Sequence, residues 1–99
     1  MNERADLDDE LELRRRRLRY RAWHRGTREM DFVLGRFVDA AVAAMKEPEV
    51  AELEALLEAP DPDLFAWVTG TEPVPANYDT EIIRRMVAFH REGGGLPVR

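Results

Sequence analysis

The sequence predicts an all-α protein, a small bundle of about five short helices in a single domain. Apolar residues recur every three or four positions through most of the chain, and no stretch alternates apolar with polar β-branched residues. Apolar residues can follow the periodicity of a helix or that of a β-strand, and only the helical periodicity is therefore present. The length of 99 residues suits one domain with one core. We expect a single domain over residues 1–99, with its core over about 8–91 and flexible termini at 1–7 and 92–99.

The first helix is expected to begin near Asp8 or Asp9 and to end at about Trp23. Both aspartates suit the positive end of a helix dipole. The expected apolar face, with an aromatic pair beside it, consists of Leu11, Leu18, Ala22, Tyr20 and Trp23. Arginines occupy most of the remaining surface of this helix, and their aliphatic stems can cover apolar groups.

The strongest helical pattern runs from Met30 to Met45 and predicts the central helix. Gly35 lies inside it and costs roughly 1 kcal/mol in helix propensity relative to alanine. We expect this glycine to let a neighbouring helix come close, the alternative being an exposed turn that tolerates it. The apolar positions of this helix are Met30, Val33, Leu34, Phe37, Val38, Ala41 and Met45.

Prolines and a glycine mark three further helices. Pro48 suits the first turn of the third helix. Asp61 can cap the fourth helix, Pro62 suits its next position, and Gly70 can end it in the left-handed conformation. The last helix is expected over about 80–91, after a proline-bearing connection. The expected core residues are Val50, Leu53, Leu56, Leu57, Leu64, Phe65, Trp67, Val68, Ile82, Ile83, Met86 and Val87, with Phe89 or His90 as a further candidate.

The residues that catalysis usually needs are scarce. The chain has no cysteine and no serine, so only a few threonines offer a nucleophile. His24 and His90 lie too far apart in sequence to form a helical zinc-ligand pair. The glycines at 93–95 lack the strand and lysine of a phosphate loop. We therefore expect no catalytic residue, no metal and no cofactor of its own.

Nothing in the sequence predicts a membrane span or a targeting peptide. No apolar run approaches the roughly 20 residues that a bilayer requires, and the first ten residues are acidic rather than basic. The absence of cysteine fits a reducing compartment. We therefore expect no membrane insertion and a cytoplasmic location.

Charge is distributed unevenly along the chain. The net charge is −5, yet residues 13–28 hold eight arginines and no acid. Such a stretch can bind phosphates, which makes a small nucleic-acid-associated regulator using the Arg14 to Arg28 face the alternative function. Because the chain as a whole is acidic, we favour a solvated face or a protein contact, and no nucleic-acid partner. Tyr20 and Trp23 border this face, and an aromatic residue beside arginine is typical of protein contacts.

Three segments then follow one another in a specific order: "RGTRE" at 25–29, "MDFVLGRF" at 30–37 and "LLEAPDPDLFAWVTG" at 56–70. In this order and spacing, over roughly residues 14–91, the chain closely resembles the small assembly factors of succinate dehydrogenase that promote covalent attachment of FAD to its flavoprotein subunit. The R-G-x-x-E signature of that family falls on Arg25, Gly26 and Glu29, and Asp31 completes a common E-x-D extension. Two positions depart from the common pattern, because His24 stands where many relatives have arginine and Thr27 where methionine is frequent.

The resemblance implies a five-helix protein that is not an enzyme. Family members dock on the flavoprotein and favour the conformation in which a histidine of that partner bonds to the 8α-methyl carbon of the flavin. FAD therefore belongs to the partner, and whether the related fumarate reductase subunit is also served stays open. The partner-binding residues expected on this basis are Arg25, Gly26, Glu29, Arg28, Asp31, Trp23 and Tyr20.

The residue types of this signature suit such a role. Gly26 can take a positive φ and lets the backbone of a partner approach closely. Arg25 can fork onto a carboxylate or carbonyl of the partner. Glu29 can accept from amides or an arginine across the interface, or can cap the free N–H groups of its own helix.

Overall fold

The structure, a computed structural model, describes the backbone of residues 3–94 and the side chains from residue 7 onward. Five α-helices form this part of the chain: α1 (Glu3–Trp23), α2 (Arg28–Ala41), α3 (Glu47–Leu56), α4 (Asp61–Thr69) and α5 (Glu81–Arg91). Two 3₁₀ turns, Val42–Ala44 and Ala76–Tyr78, lie in the connections, and residues 3–94 contain no strand. The predicted all-α fold of five helices is confirmed. Of the predicted flexible termini, residues 1–2 and 95–99 lie outside the described residues.

The helices share one apolar core. α1 packs mainly against α2 and also against α3, while α5 packs against α4 and also against α2 and α3. Each helix contributes at least one side chain that is 0% exposed, namely Leu18, Leu34, Leu53, Leu64 and Ile82. No polar or charged side chain is buried among those that the structure describes. Apolar contacts therefore fill the interior, while ion pairs and hydrogen bonds join the helices near its edge.

The predicted core positions are confirmed with few exceptions. Most are buried, and the half-buried ones pack against the core at its margin: Leu11, Ala41, Phe65, Val87 and Phe89. His90 is also half-buried. Two buried residues were not predicted, Val42 and Ala59. Both lie in connections, where the helical period that identifies core positions is interrupted.

α1 is longer at its start than predicted. It begins at Glu3 rather than near Asp8 or Asp9. Residues 3–7 are good or moderate helix formers, and carboxylates spread over the first turns favour the positive end of the dipole. Residues 7–10 are exposed, and from residue 7 onward Leu11 is the first to pack against the core. The turn over residues 7–10 therefore projects beyond the bundle.

α2 is shorter at its end than predicted. It stops at Ala41, and a 3₁₀ turn leads to Met45, whose backbone is extended. Met45 is nevertheless 0% exposed, as its apolar character suggested. The guanidinium of Arg15 donates to the carbonyl of Met45, which no longer takes part in a helix. This contact with α1 supports the early end of α2.

Gly35 makes the close approach that its position in a helix predicted. A Cβ atom built there would lie less than 3.0 Å from three atoms of the indole ring of Trp23. The indole nitrogen of Trp23 donates to the Asp39 carboxylate at 3.1 Å, and the Phe32 ring meets the indole edge-on at a centroid distance of 6.2 Å. An aromatic ring of α1 therefore lies directly on a glycine of α2.

The start of α4 differs from the prediction, whereas its end does not. Asp61 does not cap the helix; it is the first helical residue, preceded by Pro60, whose carbonyl accepts from Leu64 N–H at 3.0 Å. Gly70 ends the helix with φ 81°, and Thr71 N–H donates back to Ala66 O at 2.8 Å. This is the arrangement in which a left-handed glycine satisfies the last carbonyls of a helix.

The glycines after α5 form a second ending of the same kind. Gly93 has φ 86°, its N–H donates to His90 O at 2.9 Å, and Gly94 N–H donates to Phe89 O at 3.0 Å. Residues 93 and 94, expected in a flexible tail, therefore terminate the helix by hydrogen bonding. None of the helices described is long and apolar enough to cross a membrane.

Candidate partner-docking site

The connection between α1 and α2 is a tight bend with an exposed glycine. Gly26 has φ 110°, a conformation that favours glycine, as predicted. A Cβ atom at this position would meet nothing within 4 Å. The positive φ, rather than crowding within the chain, therefore requires glycine here. The space beyond the missing side chain is open to a partner.

Thr27 and Asp31 hold the bend in place. Thr27 has extended backbone angles, and its hydroxyl accepts from Met30 N–H at 3.3 Å, so this residue caps α2. The Asp31 carboxylate reaches back and accepts from Arg25 N–H at 2.7 Å. Thr27 thus satisfies one free donor at the start of α2, and Asp31 satisfies a donor of the bend before it.

Glu29 has no such role in its own helix. Its side chain is exposed and forms no hydrogen bond or ion pair with the side chains described, those of residues 7–94, or with the described backbone. Of the two roles that the sequence left open, capping is taken by Thr27. A carboxylate in the first turn still interacts favourably with the helix dipole. Its oxygens nevertheless remain available to donors outside the chain.

Arg25 points into the molecule rather than away from it. Its Nε and Nη2 donate to Asp61 Oδ1 at 2.9 and 2.6 Å, and its side chain is only 13% exposed. Nη1 donates to Leu57 O at 2.9 Å and Nη2 to Ala59 O at 3.3 Å. The expected fork onto a carboxylate and carbonyls exists, but its acceptors belong to this chain. Direct contact of Arg25 with a partner stays a prediction.

A cleft lies between the first turn of α2 and the first turn of α4. Its volume is about 300 Å³, and its lining residues are Thr27, Glu29, Met30, Asp61, Pro62 and Phe65. The surface that lines it is almost entirely apolar. Sequence reasoning did not assign Asp61, Pro62 or Phe65 to the site. The "DPDLF" segment contained the signal, because it carries the family resemblance together with "RGTRE".

The aromatic residues predicted for the site have different environments. Tyr20 is 66% exposed and stacks on His24 with ring centroids 4.0 Å apart. His24 Nδ1 lies 2.7 Å from Tyr20 O, so it donates to a carbonyl at the negative end of α1. Trp23 is half-buried between α1 and α2, and Arg28 is exposed. Tyr20 and Arg28 are thus accessible beside the bend, whereas Trp23 mainly joins two helices.

Most arginines of the acid-free stretch at residues 13–28 form ion pairs with carboxylates elsewhere in the chain. Five of its eight arginines lie within 4.0 Å of a carboxylate: Arg14, Arg15, Arg19, Arg21 and Arg25. The partners are on α1 itself, on α3 and at the ends of α3 and α4. This is the balanced helix face favoured by the sequence, and the nucleic-acid alternative finds no support.

The pair between Arg14 and Glu54 is the best defined of these contacts. Two guanidinium nitrogens donate to the two carboxylate oxygens at 3.1 and 2.7 Å. These hydrogen bonds hold the pKa of Glu54 below its ordinary value, against the opposing effect of partial burial. Among the side chains of residues 7–94, no three histidine, aspartate or glutamate groups converge as metal ligands would.

The residues of this chain that match known proteins include both segments that form the cleft. The profile of the family described as flavinator of succinate dehydrogenase (Sdh5) matches residues 16–90. The FAD assembly factor SdhE of Acetobacter pasteurianus is 46% identical over 84 residues, which are 85% of this chain and 77% of that protein. No solved structure matches.

Mitochondrial proteins are also similar. Succinate dehydrogenase assembly factor 2 of Dictyostelium discoideum is 33% identical over 81 residues, covering 82% of this chain and 57% of that protein. Assembly factor 2-B of Drosophila melanogaster is 38% identical over 79 residues, covering 78% and 51%. The chain thus spans just over half the length of these two relatives. On the extent of the profile match, the chain belongs to the family of succinate dehydrogenase flavinators.

Proposed function

We propose that this protein is an assembly factor that binds the flavoprotein subunit of succinate dehydrogenase and promotes covalent attachment of FAD to it. One observation carries the proposal: the family match over residues 16–90 includes every residue of the bend and of the cleft beside it. The protein itself supplies no catalytic residue and holds no FAD. Both the flavin and the histidine that receives it belong to the partner.

Binding alone can accelerate such a reaction. The bond forms when the flavin ring is electrophilic and the histidine of the partner lies at bonding distance. A factor that binds this arrangement more tightly than others raises its population, and only that difference in affinity speeds the step. A rigid five-helix domain with an exposed docking face suits this role, because it need not rearrange on binding.

The described residues suggest how the partner is held. Open space at Gly26 lets backbone of the partner approach. The free carboxylate of Glu29 accepts from an amide or an arginine. The cleft beside it receives an apolar side chain against Met30 and Phe65. Tyr20 and Arg28 contact the periphery of the same interface, where single contacts contribute less.

The experiment uses covalent flavin fluorescence on the denatured flavoprotein band. Deleting the gene is expected to abolish or strongly reduce this fluorescence, and expressing the protein again should restore it. Restoration should fail with Glu29→Gln and succeed with the matched control Glu81→Gln, since both glutamates are exposed in the first turn of a helix. Undiminished fluorescence in the deletion strain would contradict the proposal.

Two further parts of the proposal have separate tests. Purified protein mixed with FAD and then diluted should retain no flavin absorbance, because FAD is placed with the partner. The same reconstitution with the fumarate reductase flavoprotein shows whether that subunit is also served. The cytoplasmic location expected from the sequence stays a prediction, which fractionation of the native cells can check.

A further inference from the structure

We infer that Asp61 is a positioning residue of the docking site, and that Arg25 acts through Asp61 rather than by touching the partner. The inference rests on the proposed function. It changes the role of one member of the R-G-x-x-E signature and adds a residue that lies outside it. The evidence is the geometry of the contacts between the bend and the start of α4.

The guanidinium of Arg25 is already committed to its own chain. It makes four hydrogen bonds of 2.6 to 3.3 Å, two to one oxygen of Asp61 and two to the carbonyls of Leu57 and Ala59. A guanidinium has five N–H donors in one plane, so few remain for a partner. With 13% of the side chain exposed, its contact area is also small.

These bonds join segments that are distant in sequence. Leu57 caps the end of α3 and Ala59 follows in the loop, and the carbonyl of Leu57 is among those that a helix end leaves without intrahelical donors. Asp61 is the first residue of α4. The backbone of Arg25 is held by Asp31 of α2. One residue thus connects the α1–α2 bend, the end of α3 and the start of α4.

The cleft depends on this connection. Asp61 and Pro62 line it from α4, while Thr27 and Glu29 line it from the start of α2. The distance between these two walls is therefore set by the Arg25–Asp61 pair, which lies beside both. A hydrogen-bonded ion pair that is largely shielded from water holds such a distance better than an exposed pair.

Loss of the Asp61 charge should therefore weaken partner binding without removing a partner contact. We expect Asp61→Asn to lower affinity for the flavoprotein by roughly tenfold or more, as for loss of a charged hydrogen-bond partner. Arg25→Lys should cause a similar loss, because an ammonium cannot span the same planar set of acceptors. The control Asp63→Asn, two residues further in the same first turn and exposed, should bind as the unmodified protein does.

A double-mutant cycle separates positioning from direct contact. Affinity for the purified flavoprotein is measured by calorimetry for Arg25→Ala, for Asp61→Ala and for the two combined. If Arg25 acts through Asp61, the combined loss should be close to the larger single loss. Losses that multiply would overturn the inference, because they would mean that each residue contacts the partner independently. Unchanged affinity in Asp61→Asn would overturn it as well.

Spectra of the free protein provide a readout that does not involve the partner. In Asp61→Asn, the backbone amide resonances of Thr27 and Glu29, on the opposite wall of the cleft, should shift, while Asp63→Asn should leave them in place. Unshifted resonances would overturn the inference, and circular dichroism checks that the variants are folded. Failure of the unmodified protein to bind the flavoprotein would instead contradict the proposed function, and the spectra would still decide whether the pair shapes the cleft.

Discussion

Gly26 combines a backbone requirement with an open surface. Its φ of 110° is one that residues with a Cβ rarely adopt, yet a Cβ atom would meet nothing within 4 Å. Two effects of substitution can therefore be separated. Any side chain introduces backbone strain of roughly 1–3 kcal/mol, whereas only a large one obstructs the approach of a partner.

We predict that Gly26→Ala and Gly26→Arg lower the free energy of unfolding by similar amounts, but that only Gly26→Arg strongly impairs binding of the flavoprotein. Urea denaturation measures the stability of both variants, and calorimetry measures their affinity. Both variants should keep nearly normal helicity, since the bend lies between helices. Equal loss of affinity in the two variants would show that the backbone conformation, and not the open space, is what binding requires.

Substitutions at Trp67 and Phe65 distinguish the buried side of α4 from the side that lines the cleft. Trp67 is 7% exposed with its ring against Tyr78, at a centroid distance of 4.9 Å, whereas Phe65 is half-buried and lines the cleft. We predict that Trp67→Ala lowers the free energy of unfolding by about 3–5 kcal/mol. Phe65→Ala should cost less stability and more affinity for the flavoprotein. A normal melting temperature in Trp67→Ala would contradict the buried position.

At the scale of helices, periodic patterns predicted which elements form and which faces are buried. Apolar spacing, together with the prolines and the glycine that mark the later helices, located all five, because burial of one face is what stabilises a short helix. Their ends were less predictable. α1 begins at Glu3 and α2 ends at Ala41, since helix ends depend on competing local hydrogen bonds and on neighbours such as Arg15.

The contact between α1 and α2 leads to a third prediction. Gly35→Ala should lower the free energy of unfolding by about 1–3 kcal/mol, because the new methyl group overlaps the indole of Trp23. That corresponds to a fall of at least roughly 4 °C in the melting temperature of a domain of this size. In a Trp23→Leu background, where the indole is absent, the same change should cost much less. An equal cost in both backgrounds would place the strain elsewhere.

At the scale of the whole molecule, ion pairs connect the arginines of α1 to the acidic part of the bundle. The arginines that make the first part of the sequence basic pair with carboxylates on α3, on α4 and in the connection between them, among them Glu54, Glu58 and Asp61. These pairs bridge 36 to 40 residues of sequence. Each exposed pair contributes little, but several along one helix orient it on the rest of the molecule.

This arrangement predicts how stability depends on pH. Arg14 lowers the pKa of folded Glu54, so the unfolded chain binds a proton more readily than the folded one. The stabilisation is therefore complete above the ordinary glutamate pKa of about 4.3 and is lost as the pH falls through the lower folded pKa. Melting temperatures measured between pH 7 and pH 3 should fall less steeply for Glu54→Gln than for the unmodified protein.

The matched control is Glu52→Gln, on the same helix. Glu52 is half-buried and forms no ion pair within the described residues. Its substitution should leave the pH dependence close to that of the unmodified protein. A slope in Glu54→Gln as steep as that of Glu52→Gln would show that the Arg14 pair does not contribute to acid stability.

The sequence by itself determined the number of helices, their buried faces, the need for glycine at three turns or close approaches, and the family. The first three depend on residues near one another in the chain, so a local period or a local conformational preference reveals them, and the family is revealed by the order and spacing of three segments. Tertiary structure alone decided what Arg25 and Asp61 do. Asp61 had the sequence position of a helix cap and Arg25 that of a partner contact, but folding brings them within hydrogen-bonding distance across 36 residues. No local sequence pattern predicts the contact between Arg25 and Asp61, because it depends on which loops the shared core places side by side.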